Sequence, residues 1–426
     1  MLHLQQLAAE LERKREALSA YQDDYRAGLD AYRAALRSLA ARYPSAAALG
    51  AAQSARLSLG ERPHSAGAQA TAEYDAWARA SAGGWPLVPF GRHFAHHAEA
   101  RAWAEERLAG VTTFAVDGSQ LPPWRDASIP VALVQVALFE NPHDAARPYT
   151  KDVTAELLTP EDLIVTRPDT ADLRTGQALT YSTQLVNLRR FELETRTLVA
   201  RMERHAARRA AGEAREGTVV AFYDGSLIVS FALSQAEEYR ERYVQASQRL
   251  LAVSAETRIP LVGYIDTSYA RDLLTMLGGL AEAPNELPQT RGLHDALLWH
   301  RQMAWGDRSL AFISARDDLA SMGYAAQAHD VAFVYLQTAS DRPPARIEFP
   351  RWVLEAGLLD AVVDVVRAET VAGTGYPYAI ETADAAAVIR AADRAQFYAL
   401  FQAFVERAGL SFTFSHKALS KSRRRS

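Results

Sequence analysis

Two copies of the tripeptide Asp-Gly-Ser each follow an apolar run that is typical of a buried strand. Asp117 stands in "TFAVDGSQLP" and Asp224 in "AFYDGSLIVS", while Asp266 follows a third such run in "LVGYIDTS". A carboxylate just past a buried strand has a fixed backbone and a side chain that can face a cleft, so each aspartate is a candidate for catalysis. Each can also be a turn former or a helix cap, because Asp, Gly and Ser are frequent in turns.

Asp117 and Asp224 would face one another if their strands were neighbours. Like charges held close are costly unless a cation neutralises them, and hard divalent ions prefer carboxylate oxygens. Two such ions about 4 Å apart activate a water molecule and stabilise the leaving oxygen in nucleases and phosphotransferases. The pair therefore favours metal-dependent chemistry on a phosphate ester.

A further carboxylate is expected on the long helix predicted over residues 178–210, which carries Glu192, Glu194 and Glu203. The residues at helical spacings from Glu192 are mostly apolar: Leu185, Leu188, Thr195 and Val199. Glu192 is thus predicted on an inward face, where an acid is either a metal ligand or part of an ion pair. Glu203 lies in an Arg-rich stretch and is interpreted as a solvated ion pair.

The composition excludes several other chemistries. The chain has 426 residues, a formal net charge of -4 and no cysteine, so no thiolate site and no global attraction to nucleic acid are expected. Phosphate-loop, H-E-x-x-H and G-x-S-x-G motifs are absent from the sequence. With no apolar run long enough for a membrane span and no signal-peptide core at the N-terminus, we expect a cytoplasmic protein. The basic tail is either a solvated end or a DNA contact; its cations are Lys417, Lys421, Arg423, Arg424 and Arg425.

The order of the predicted elements indicates an α/β fold. Residues 2–42 form a heptad pattern, predicted to be one long helix that packs within the chain, against 67–84 or 93–109, or else on another subunit. The small-residue-rich stretch 43–69 is predicted to be a linker. Strands alternating with helices follow from Val111 onwards. We predict an N-terminal helical region over 1–110, a catalytic domain over 111–415 and a basic tail over 416–426.

Six motifs in order resemble the NurA nucleases: "FAVDGSQ", a long helix with glutamates, "FYDGSL", "LVGYIDTS", "RIEFPRWV" and "GTGYPYAIETAD". The resemblance extends from about Val111 to the helix predicted over 392–408. It implies an RNase H-like mixed sheet flanked by helices, manganese-dependent nuclease activity on DNA ends and single strands, and a dimer that docks on the hexameric ATPase HerA in double-strand-break repair.

Carried over residue by residue, the resemblance makes Asp117 and Asp224 metal-binding aspartates. The family glutamate resembles Glu192, with Glu194 as the alternative. Tyr376 matches the first tyrosine of the family's Tyr-Pro-Tyr motif, although a turn tyrosine would look the same. The family has histidine eight positions later, where this chain has Asp384. A carboxylate can still bind a metal ion but cannot act as an imidazole does. Asp266 has no secure family counterpart and is kept as a possible site residue.

The predicted function is a DNA nuclease that uses Mn²⁺ or Mg²⁺, two ions in all, held by Asp117, Glu192, Asp224 and Asp384. The resemblance implies single-strand endonuclease and 5′–3′ exonuclease activity at DNA ends, and a nucleoid-associated location. Arg189 and Arg190, together with the tail cations, are candidates for DNA contacts. Two alternatives remain: a catalytically weak or inactive dimeric adaptor of the ATPase, kept open by Asp384, and a phosphatase of small substrates.

Overall fold

A computed structural model describes residues 2–58, 66–80, 84–123, 128–163, 182–213, 217–281, 287, 292–316 and 330–411. The chain divides into two compact units that interleave along the sequence. The first unit comprises 1–100, 225–230 and 262–361, and the second comprises 101–224, 231–261 and 362–426. This division differs from the contiguous domains predicted above. Each unit is made of three separate segments, and the sequence pattern alone does not indicate which distant segments pack together.

The first unit contains helices along its N-terminal hundred residues and again before and after its strands. Its helices are α1 (Leu4–Arg13), α2 (Arg15–Arg37), α3 (Leu39–Arg42), α4 (Ala46–Ser58), α5 (Ala72–Ala80), α10 (Asp272–Gly279), α11 (Ala296–Trp299) and α12 (Arg351–Glu355). Its strands are β1 (Gly67–Ala70), β2 (Leu87–Val88), β7 (Leu261–Ile265), β8 (Arg308–Ser309), β9 (Phe312–Ala315), β10 (Val331–Leu336) and β11 (Ala345–Pro350). The strand order β1-β9-β10-β11-β7 is antiparallel throughout.

The predicted heptad helix is present, interrupted at Lys14 and Ser38. Its C-terminal half packs within the unit, because Tyr32 and Leu36 are buried in a core shared with α10 and α11. The N-terminal heptad residues are exposed: Leu4, Leu7, Leu11, Leu18 and Tyr21. Packing within the chain therefore accounts for only the C-terminal part of the heptad pattern.

The predicted linker over 43–69 contains α4 and β1 instead, so that prediction was wrong for most of the stretch. Alanine is the strongest helix former, and six alanines fall within α4. The Gln53 side chain ties the helix to the strand by donating to the carbonyls of Ala66 and Ala68, at 3.1 and 2.8 Å. Small residues here favour helix and close packing rather than a loop.

The "RIEFPRWV" motif forms β11 and brings two opposite charges into the core of the first unit. Arg346 and Glu348 are buried side by side, with 2.7 Å between Nε and Oε1, and Arg346 also reaches Asp272 at 3.0 Å. Glu348 Oε2 accepts hydrogen bonds from Ser226 Oγ and from the Leu227 amide, at 2.9 and 2.8 Å. The serine of the second Asp-Gly-Ser is thus held by a buried carboxylate.

The second unit is built on four strands with helices packed against them. The strands are β3 (Thr112–Leu121), β4 (Ala132–Asn141), β5 (Thr150–Leu158) and β6 (Val219–Asp224). The helices are α6 (His97–Leu108), α7 (Pro160–Leu163), α8 (Thr183–Ala210), α9 (Glu237–Thr257), α13 (Leu359–Ala372), α14 (Tyr378–Ala387) and α15 (Ala391–Arg407), with a 3₁₀ turn at Ser230–Ser234.

The sheet of the second unit is mixed, with the order β6-β3-β4-β5. β3, β4 and β5 form an antiparallel meander, and β6 returns parallel to β3 on the other side. Both α8 and α14 pack against β3 and β4. The predicted fold class, a mixed sheet flanked by helices, is confirmed. None of the helices in the described ranges is long and apolar enough to cross a membrane.

Candidate active site

Asp117 lies in the interior of β3, not past its end as the sequence suggested. The strand continues because β4 pairs with it as far as Leu121, whereas the parallel neighbour β6 ends at Asp224. Val116 pairs with Tyr223, so Asp117 and Asp224 are the next residues on adjacent strands. The pairing of β3 with β6 ends at this level, and the two aspartates lie close together where the strands part.

The two Asp-Gly-Ser copies need glycine for different physical reasons. Gly225 has φ = 136°, a conformation that glycine alone adopts readily, and it ends β6. Gly118 has ordinary strand geometry, but a Cβ there would collide with Glu194 Oε1 and Arg190 Cγ. A side chain at position 118 would therefore displace Glu194 and Arg190, the two residues of α8 that lie against this part of β3.

Tyr376 and Asp384 complete this group from the turn before α14 and from α14 itself. The Tyr376 hydroxyl donates a hydrogen bond of 2.6 Å to Asp224 Oδ1. The Asp384 side chain lies close enough to Asp117 to raise the pKa of the Asp117 carboxyl group. The structure thus places Asp117, Asp224, Tyr376 and Asp384 together in the second unit.

Glu194 reaches the same group from α8. It is buried, its Oε1 lies 3.5 Å from Arg190 Nε, and Arg190 also donates to the Gly118 carbonyl at 3.2 Å. We refer to Asp117, Glu194, Asp224 and Asp384 as the acidic cluster.

Burial and mutual repulsion disturb the ionisation of the acidic cluster. Burial, with added repulsion from Asp224 and Asp384, raises the pKa of Asp117 to about 6. Burial raises the pKa of Glu194 to about 8, and the negative charges of Asp117 and Asp224 add to the rise, against the lowering by Arg190. Raised carboxylate pKa values in one place are typical of functional sites, because such a site gains stability when a cation binds.

Glu192, the glutamate favoured from sequence, is engaged elsewhere. Arg242 holds it in a two-bond ion pair, with Nε–Oε1 at 2.7 Å and Nη2–Oε2 at 2.6 Å, and Arg189 lies 3.3 Å from Oε2. The structure brings Glu194 rather than Glu192 to the aspartates. The apolar spacing contained the better signal: the buried residues Phe191, Leu198 and Met202 lie three before, four after and eight after Glu194.

The remaining predicted residues lie outside this group. Asp266 follows β7 in the first unit and forms an ion pair of 3.1 Å with the partly exposed Arg342. Of the predicted DNA contacts, Arg190 borders the acidic cluster and Arg189 pairs with Glu192. The tail cations Lys417, Lys421, Arg423, Arg424 and Arg425 lie outside the described residues.

The acidic cluster offers ligands that suit a hard divalent cation, although its side chains are not yet close enough together to coordinate one. All four members of the acidic cluster offer carboxylate oxygens, the ligands that Mg²⁺ and Mn²⁺ prefer. Within the described ranges, no three His, Cys, Asp or Glu side chains converge closely enough to hold a metal ion as they stand.

Carboxylates that converge where two strands of a mixed sheet part are typical of one class of enzymes, the metal-dependent hydrolases of phosphate esters. A family model narrows that class, since residues 111–389 match the NurA domain, well over half of the chain. The chain belongs to the NurA family of nucleases.

Solved structures with some similarity include NurA with manganese, at 10% identity and a TM-score of 0.37, covering 69% of this chain and 89% of that chain. NurA bound to dAMP and manganese matches at 11% identity and a TM-score of 0.31, covering 66% and 84%. The catalytic domain of human endonuclease V matches at 12% identity and a TM-score of 0.29, covering 76% and 93%. A search of curated proteins gave no match.

Proposed function

We propose that this protein is a divalent-metal-dependent DNA nuclease and that its acidic cluster is the metal site. The observation that supports the proposal most is the convergence of Asp117, Asp224 and Glu194 from two strands and a helix. Asp224 raises the pKa of Asp117, and both aspartates raise the pKa of Glu194. Like charges gathered at such a cost favour a role that a bound cation makes favourable.

In this proposal Asp117, Asp224, Glu194 and Asp384 are the metal ligands. One or two Mn²⁺ or Mg²⁺ ions would supply positive charge for the scissile phosphate and for the attacking water. Glu194 replaces Glu192 in the ligand set because Arg242 already holds Glu192. Asp384 provides a carboxylate where the family has histidine, so in this chain that position contributes negative charge and no imidazole.

Two neighbouring side chains have separate tasks. The Tyr376 hydroxyl orients Asp224 through its 2.6 Å hydrogen bond. Arg190 has a partly exposed guanidinium beside Glu194, so it can contact a DNA phosphate next to the acidic cluster. Arg189, which is tied to Glu192, is a weaker candidate for that contact.

The finer activity follows from the family resemblance. We infer single-strand endonuclease and 5′–3′ exonuclease activity that resects DNA ends in double-strand-break repair, in a homodimer associated with a hexameric HerA-type ATPase. A nucleoid-associated protein in the cytoplasm fits that role. Because the chain has a net charge of -4, its affinity for DNA should be modest, and a basic partner would add affinity.

The direct test is cleavage of end-labelled single-stranded DNA with Mn²⁺, with and without a chelator, by wild type, Asp117→Ala and Asp224→Ala. The proposal predicts cleavage by wild type that chelation abolishes, and loss of at least about 10³-fold in both variants. No cleavage by wild type, or equal cleavage by all three proteins, would rule out the nuclease.

The competing function is a dimeric adaptor that keeps the nuclease fold but has weak or no activity. Asp384 in place of the family histidine is the observation behind it. An adaptor would bind the ATPase equally well with or without Asp117 and Asp224, and Mn²⁺ would give no cleavage. Measuring ATPase binding and DNA cleavage on the same wild-type and Asp224→Ala preparations separates the two functions.

A further inference from the structure

Glu369 is a fully buried carboxylate on α13 that the proposed reaction does not use. Its Oε1 accepts a 2.7 Å hydrogen bond from Thr113 Oγ1, and its Oε2 accepts one of 2.9 Å from the Ala379 amide. His143 Nε2 lies 3.5 Å from Oε1. A buried carboxylate with this many donors is firmly fixed in place.

The partners of Glu369 belong to two elements that carry site residues. Thr113 lies on β3 four residues before Asp117, so the alternation of the strand puts both side chains on the same face. Tyr378 and Ala379 are the first two residues of α14, the helix that carries Asp384 and directly follows the turn with Tyr376. One side chain therefore links the strand of Asp117 to the helix of Asp384.

The helix start depends on this carboxylate. The first amides of a helix have no partners within it, and Glu369 accepts a hydrogen bond from one of them, the Ala379 amide in the first turn of α14. Its negative charge also lies at the positive end of the helix dipole. The preceding turn is tight: a Cβ at Gly373 would collide with the Tyr376 carbonyl, and Gly375 has φ = 108°. Glu369 thus fixes where this turn delivers Tyr376 and where α14 begins.

We propose that Glu369 is a positioning residue, which holds Tyr376 and Asp384 in register with Asp117 and Asp224 so that the acidic cluster can bind a divalent cation. The inference rests on the proposed function of that cluster. Glu369 itself contacts neither metal nor DNA. Partners that orient metal ligands from outside the coordination shell commonly change metal affinity by 10- to 100-fold when they are removed.

The test compares Glu369→Ala and Glu369→Gln with wild type. Mn²⁺ affinity is measured by isothermal titration calorimetry, and hydrogen exchange is measured at the Ala379 amide. Glu369→Ala should weaken Mn²⁺ binding at least about tenfold and speed exchange at the Ala379 amide by at least about tenfold. Glu369→Gln keeps the shape and an acceptor oxygen, so its Mn²⁺ affinity should stay within about threefold of wild type.

Glu140→Ala is the matched control, since it removes another buried carboxylate of the second unit, one that contacts Arg201 and His205 on α8. It should leave Mn²⁺ affinity unchanged. Should Glu369→Ala fail to fold, Thr113→Val removes only the bond to β3 and should weaken Mn²⁺ binding about two- to tenfold.

Wild-type Mn²⁺ affinity in Glu369→Ala, or in Thr113→Val if that is the variant tested, would overturn the inference and leave the nuclease proposal standing. Equal losses of affinity in Glu369→Ala and Glu140→Ala would also overturn it, because the effect would then be general destabilisation. A wild type that binds no Mn²⁺ and cleaves no DNA refutes the proposed function, and with it the metal-binding purpose assigned to Glu369. Exchange at the Ala379 amide would still show whether Glu369 fixes the start of α14.

Discussion

Two clusters built around buried glutamates of the second unit show opposite electrostatics although both involve α8. Around Glu140 on β4, burial alone would raise the pKa, but hydrogen bonds from His205 and Arg201 outweigh it and lower the pKa to about 2. Around Glu194, seven residues before Arg201 on the same helix, burial and neighbouring carboxylates raise the pKa to about 8. The Glu140 cluster is balanced by the chain's own cations, whereas the acidic cluster accumulates negative charge that a bound cation would relieve.

The comparison separates stability from function. A self-balanced buried ion pair stabilises the fold only while both partners are present, and removing one partner is costly. A cluster of like charges lowers the stability of the folded chain. A bound cation offsets that repulsion, so the folded chain becomes more stable when the cation binds. Substitutions in the Glu140 cluster should therefore change the free energy of unfolding, and those in the acidic cluster should change metal binding and catalysis.

The largest expected effect on stability is that of Glu140→Ala. This change leaves Arg201 and the buried His205 without their shared carboxylate, so the free energy of unfolding should fall by about 3–5 kcal/mol. Urea denaturation measures it. The control is Glu203→Ala on the same helix, where an exposed ion pair with Arg249 should contribute less than about 1 kcal/mol. Similar losses of unfolding free energy in Glu140→Ala and Glu203→Ala would contradict the difference expected between the buried and the exposed ion pair.

Acid should weaken the fold through the same glutamate. Its pKa is about 2 in the folded chain, below the ordinary 4.5, so the ionised pair stabilises the fold above pH 4.5. This contribution, about 3 kcal/mol, is lost as the pH falls from 4.5 towards 2. The stability difference between wild type and Glu140→Gln should therefore shrink over that range. A difference that stays constant from pH 6 to pH 3 would argue against the low pKa.

Gly118→Ala should damage the acidic cluster without a comparable loss of stability. The added methyl group would collide with Glu194 and Arg190 and displace them, and a misplacement of about 1 Å commonly costs about 10²-fold in rate. Cleavage of labelled single-stranded DNA with Mn²⁺ measures the change. Gly50→Ala is the control, because a Cβ there meets nothing within 4 Å. Unchanged cleavage by Gly118→Ala would show that the position of Glu194 does not depend on the missing side chain at residue 118.

The smallest expected effect is that of Asp384→His, which restores the family's residue. Because Asp384 is a ligand in the proposed metal site, exchanging its carboxylate for an imidazole should lower the cleavage rate about tenfold. Single-turnover rates at saturating Mn²⁺ measure the change. A higher rate would instead show that the aspartate impairs catalysis in this chain and would contradict its role as a ligand.

Residues with local signals were predictable from the sequence. The apolar runs located β3 and β6, and with them Asp117 and Asp224, because a buried strand reveals itself in its own residues. The helix over 183–210 was also predicted to within a few residues. Glu194 was ranked below Glu192 because that choice depends on Arg242, fifty positions along the chain, and on the missing side chain of Gly118. Glu369 and the interleaving of the two units depend on distant contacts in the same way.

The most direct test of the account is Mn²⁺ binding by isothermal titration calorimetry to wild type, Glu194→Gln and Glu192→Gln. The two variants change glutamates two residues apart on one helix, and only Glu194 belongs to the acidic cluster. We expect Glu194→Gln to weaken Mn²⁺ binding at least about tenfold and Glu192→Gln to bind like wild type. Equal affinities in all three proteins, or a loss confined to Glu192→Gln, would contradict the assignment of the metal site.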